Sequence, residues 1–247
     1  MLVNQDEIDV DLRTPAKVRA RILVLSAILR RLALENAPSD DVGDRLGDAF
    51  DEREWLRDQG MAGDLTIREA ALLSSPPGTL TPDAVAEASW QGEALVALAW
   101  AIGALEMPPV DAPSDPRPIL DVVPRPWDAI QDWIGDSALV SEQDAVRERE
   151  VAEIWHWRAT TELLRRDRTA IDRHDYEAAI REVAAEALAA GIVPSLRGGD
   201  LEARNRSVSD LSDAEVEELI AVTGQRLRAL NWLCGFGDSW DDVPLDV

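Results

Sequence analysis

The sequence predicts an all-α fold, a single helical domain of roughly seven to eight helices around a central buried helix, with long proline-rich and glycine-containing loops. Three observations lead there. Apolar residues recur at three- and four-residue spacing along most of the chain. Cap signatures, a hydroxyl before proline or three residues before glutamate, stand where those repeats begin. No stretch alternates with the period of two that a half-buried strand requires.

The elements follow in order. Thr14 caps and Pro15 opens a first helix whose inward stripe is Val18, Ile22, Leu25, Leu29 and Leu32. After Pro38, an acidic stretch carrying Val42, Leu46, Phe50 and Trp55 reads as a more exposed helix ending at Gly60. Thr66 starts a short helix through Leu73, stopped by Pro76, Pro77 and Gly78. Thr81-Pro82-Asp83 opens the next, expected to run unbroken to about Leu105. Its second half is apolar on every side, which marks it as the central helix.

Residues 106–126 hold seven of the fourteen prolines and cannot form regular helix, so a wrapping loop or hinge is expected. A helical turn is read over Trp127 to Ile134. Ser141 begins a long helix through Arg166, with Val146, Val151, Ile154, Trp157 and Leu164 inward. Asp172 to Ala190 is amphipathic and ends at Gly191 and Pro194. Ser195 to Ser209, with Gly198-Gly199, reads as a flexible loop. Ser212 and Glu215 form a capping box for the last helix, which runs to about Cys234. The chain is expected to be one domain over 1–247, with an acidic tail at 236–247. Lobes at 14–105 and 127–235, joined by 106–126, are the natural division if there is one.

Charge and composition narrow the function. There are 48 acidic and 25 basic residues, a net charge of −23. Such a chain repels nucleic-acid phosphates and anionic lipid heads, so direct binding to either is not expected. An acidic surface suits a basic protein partner. The longest apolar run, Ala94 to Leu105, is 12 residues, short of the roughly 20 that span a bilayer. The N-terminal stretch lacks the basic start and apolar core of a secretory signal, and Cys234 is the only cysteine. Cytoplasmic residence is the resulting expectation.

Three segments resemble a bacterial family, domain of unknown function 4272. They are Trp90-Gln-Gly-Glu93 running into Ala94–Gly103, then Glu153-Ile-Trp-His-Trp-Arg158-Ala159, then Gln225–Leu233 closed by Trp240-Asp-Asp242. The resemblance covers roughly Thr14 to Asp246. Gln225 stands where the family pattern usually has an acidic residue, and Leu227 where it usually has histidine. The resemblance implies an α-helical fold and no particular activity.

Among residues that could carry chemistry, Glu93 comes first. At helical spacing it shares a face with Trp90, Ala97 and Trp100, and a buried carboxylate must be paired or protonated. Arg158 and Arg226 are the candidate partners. Two readings stand: an interhelical ion pair sealed by tryptophan, or a polar-ligand pocket walled by Trp90, Trp100, Trp155 and Trp232. His156 titrates near neutrality when solvated, but on its stripe it reads as a hydrogen-bonded core or interface residue. His174 reads as solvated at a helix start, and Asn231 as tying off a loop carbonyl or helix end. Asp238, Asp241, Asp242 and Asp246 are weak candidates for a divalent cation, set against a solvated acidic tail. No phosphate loop, dinucleotide fingerprint, nucleophile elbow or His-Glu-x-x-His motif is present, so no cofactor or metal is expected. The sequence thus favours a non-enzymatic interaction or regulatory protein. An enzyme or small-ligand sensor using the Glu/Arg/Trp pocket is the alternative.

Overall fold

The fold is seen in a computed structural model that describes residues 10–35, 42–131, 133, 138–167 and 176–245. Ile134, Asp172, His174 and Asp246 lie outside the described residues.

Helix α1 (Pro15–Ala33) begins as its cap dictates, with Thr14 Oγ1 accepting from the Lys17 amide. Helix α2 (Val42–Asp58) turns Trp55 and Leu56 inward and leaves Leu46 and Phe50 exposed. In α3 (Ile67–Ser74) the Thr66–Glu69 capping box closes in both directions. The helix expected from Thr81 to Leu105 is instead two, α4 (Pro82–Ser89) and α5 (Gln91–Ala101), parted at Trp90. Ser89 Oγ donates to the Val85 carbonyl, a back-bond that bends helices.

Helix α5 packs between α1 and α9 and is the buried helix that its apolar sequence predicts. The proline-rich segment contains one helical turn, α6 (Arg117–Leu120). The turn expected at Trp127 does not form in the described residues: Trp127 has φ 70°, a left-handed conformation no helix continues through. Helices α7 (Glu142–Arg166), α8 (Tyr176–Ala189) and α9 (Asp213–Leu233) complete the set. Ser141 caps α7, and Ser212 with Glu215 boxes α9.

The expected loop at 195–209 carries a small antiparallel sheet: β1 (Leu196–Arg197), β2 (Asp200–Ala203) and β3 (Arg206–Ser207), in that order. Both hairpins have two-residue connections with positive φ, Gly198-Gly199 and Arg204-Asn205, the turns that match strand twist. Leu201 and Ala203 are buried beneath α8 and α9.

Apolar side chains gather in two clusters. The larger joins α1, α2, α3 and α5 to the C-terminal half of α9, with Trp240 and Val243 of the acidic tail packed into it. The smaller joins the middle of α7 to α8, the sheet and the N-terminal half of α9. Helices α7 and α9 contribute to both, so whatever fixes them fixes the relation between the clusters.

Candidate functional site

Glu93 sits in the first turn of α5, and Arg226 on α9 lies between Leu219 of the smaller cluster and Leu227 of the larger. The two residues are 3% and 2% exposed. Arg226 Nε donates to Glu93 Oε2 at 2.9 Å. Its Nη1 reaches the carbonyls of Pro108 (3.2 Å) and Pro109 (2.8 Å), and its Nη2 reaches the Ala112 carbonyl (3.0 Å) and Ser114 Oγ (2.8 Å). Every N–H of the guanidinium therefore has an acceptor. Glu93 is equally occupied, since Ser114 donates its amide to Oε1 at 2.6 Å and its hydroxyl to Oε2 at 2.7 Å. The prolines explain this arrangement. A segment that cannot form helix leaves its carbonyls unpaired, and a buried arginine is the side chain with enough donors to satisfy several of them. The pair fastens the segment at 108–114 to α5 and α9.

Arg158 belongs to a different network. Its Nε and Nη2 grip Asp200 of β2 at 2.6 and 2.8 Å, and Nη2 also reaches Glu162 and Ser209 Oγ, each at 3.0 Å. Burial pushes the Asp200 carboxyl up, but hydrogen bonds from Arg158, its charge, and the Ser209 and Ser207 hydroxyls bring it down to about 2. Glu162 in turn accepts from Arg165 and Arg166, and Arg166 continues to Asp213 and the Leu211 carbonyl. This chain of contacts ties α7 to the hairpins and to the start of α9.

The four tryptophans fall at three places: Trp100 and Trp232 with the larger cluster, Trp155 in the smaller, and Trp90, half-buried, at the α4–α5 break. Trp232 meets Trp240 edge-on at 5.6 Å. His156 Nδ1 lies 3.2 Å from Thr223 Oγ1, where Gly224 lets α7 and α9 approach. Asn231 donates to the Pro244 carbonyl at 2.8 Å and so holds the tail. Asp238, Asp241 and Asp242 are exposed, and among the described residues no three His, Cys, Asp or Glu side chains converge as a metal site. Burial raises the Cys234 thiol to about 11, far from a reactive thiolate at neutral pH.

Two concave regions escaped sequence reasoning. A groove of about 400 Å³ runs between the end of α7 and the start of α9, lined by Leu163, Leu164, Val216, Asp167, Asp213 and Glu217 with Arg166. Leu163 and Leu164 are 48% and 49% exposed, whereas the spacing on α7 predicts Leu164 to face inward. The last turn of α7 meets the start of α9 through Arg166, and the two leucines are left facing the groove. The second region is a cleft of about 160 Å³ beside Trp232 and Trp240, lined also by Arg13, Lys17 and Arg21. Its walls come from opposite ends of the sequence, which no local pattern reveals.

Among the described residues no helix is long and apolar enough to cross a membrane. The family model described as Domain of unknown function (DUF4272) matches residues 1–184. That span includes the Trp90–Gly103 and Glu153–Ala159 segments and stops before Gln225–Leu233. No curated protein and no solved structure matches the chain.

Proposed function

Since the chain belongs to the family of domain of unknown function 4272, which brings no activity with it, we propose a function from its own surface. The protein is a non-enzymatic binding protein whose groove between α7 and α9 takes a basic, amphipathic segment of a partner protein. One observation carries this reading: two half-exposed leucines line the groove beside Asp167, Asp213 and Glu217. Leucine walls suit the apolar face of a helix laid into a groove, and the carboxylates suit arginine or lysine on its flanks. The overall charge of −23 would steer such a partner and speed its association. Glu93, the carboxylate that the sequence offers for a polar-ligand pocket, is committed to Ser114 and Arg226.

The test uses a fluorescent peptide of alternating leucine and arginine pairs at helical spacing, with a leucine–glutamate peptide as control. Anisotropy should rise for the basic peptide alone, and its affinity should fall as salt is raised. Equal binding of the acidic peptide, or no binding of either at low salt, overturns the proposal.

A further inference from the structure

In a chain with 48 acids and 25 bases, most arginines meet a carboxylate. The cleft beside Trp232 departs from that habit. Arg13 and Lys17 line it, and neither has a carboxylate within ion-pair distance among the described residues. Arg13 is held in place by carbonyls: its Nε donates to Trp232 at 3.2 Å, and its Nη2 donates to Gly237. Its Nη1 has no acceptor among the described residues. Lys17 is the only lysine of the chain, is exposed, and its Nζ makes no hydrogen bond among the described residues.

Arg21 is the third cation. It pairs with Glu69 and stacks over the Trp240 ring at 4.0 Å, yet its Nε is buried with no acceptor among the described residues. The acids of the lining, Asp64 and Asp238, lie outside ion-pair distance of Arg13 and Lys17. Indole walls exclude water from one side and strengthen any charge-assisted bond formed there.

We infer that this cleft is a binding site for a small oxyanion, a phosphate or carboxylate group, received by Arg13 and Lys17 with Arg21 behind them. A volume of about 160 Å³ admits a compact anion and falls below the roughly 300 Å³ at which sites for drug-sized ligands begin. Lysine serves such a group as a point charge and arginine as a fork. The site is independent of the α7–α9 groove and shares no lining residue with it.

Calorimetric titration of the whole chain with inorganic phosphate, and separately with acetate, at fixed ionic strength tests this. One equivalent should bind, and Lys17→Ala should weaken binding about tenfold while leaving the melting temperature unchanged, because Lys17 Nζ makes no hydrogen bond among the described residues. Arg13→Gln should weaken it further. Tighter binding of phosphate assigns a phosphate group and tighter binding of acetate a carboxylate, and either supports the site. Absence of heat for both anions up to about 10 mM, or an affinity unmoved by Lys17→Ala, overturns it.

Discussion

Arg226 and Glu93, 133 positions apart in sequence, meet at 2.9 Å in a place where the guanidinium also satisfies three carbonyls of a proline-rich segment. Breaking a buried pair from one side leaves the other charge uncompensated, at a cost of about 3–5 kcal/mol. Arg226→Met should therefore destabilise by that amount in urea unfolding and free the segment around Ser114 to exchange its amides faster. Glu93→Leu combined with Arg226→Met should cost less than the two single changes summed, since it removes both charges together.

Glu52 on α2 presents the opposite case. Burial raises its carboxyl to about 7 against the pull of Arg30, with Asp48 and Asp51 adding to the rise. One oxygen is 3.8 Å from Arg30 and the other has no donor among the described residues. The folded protein thus keeps a proton that the unfolded chain releases. This contribution to stability is complete below about 4.5 and is lost as pH rises through about 7. Glu52→Gln should gain about 1–3 kcal/mol at about pH 8 and flatten the stability profile over that window.

For Asp200 the sign reverses. A carboxyl held at about 2 contributes stability above its ordinary range near 3.8, and that contribution disappears as pH falls toward 2. Asp200→Asn should remove this acid slope and lower stability by about 3–5 kcal/mol, because Arg158 loses the bidentate partner that it buries. Loss of exchange protection in β1 to β3 is the local signature to measure.

Gly224 offers a packing test. A Cβ there would lie 3.0 Å from His156 Cε1, so Gly224→Ala should cost about 1–3 kcal/mol by forcing α7 from α9. Gly47, with nothing within 4 Å on an exposed turn of α2, is the control. Gly47→Ala should instead stabilise by about 0.5–1 kcal/mol. Thermal unfolding of the two variants separates these outcomes.

The parts of this structure legible in sequence are those decided locally. Thr14-Pro15, Thr66 with Glu69, Ser141, and Ser212 with Glu215 each begin a helix because a hydroxyl satisfies an amide within the same turn. The apolar run around Leu95 and Leu98 announced its own burial. Gly198-Gly199 carries a hairpin signal that flanking strands of two and four residues are too short to reinforce by alternation. Arg226 and Arg158 looked equivalent as partners for Glu93, and only the packing of α7 on the β2 side separates them. Neither the groove nor the cleft was legible, because each is made by elements that meet only after folding.

The most direct measurement is anisotropy titration of the leucine–arginine peptide against three proteins: wild type, Leu163→Ala with Leu164→Ala, and Glu93→Leu with Arg226→Met. The leucine variant should lose affinity by about tenfold or more while keeping its fold, and the core variant, at a temperature where it remains folded, should bind as wild type does. Binding that survives loss of the two leucines but fails with the Glu93–Arg226 pair would contradict the account.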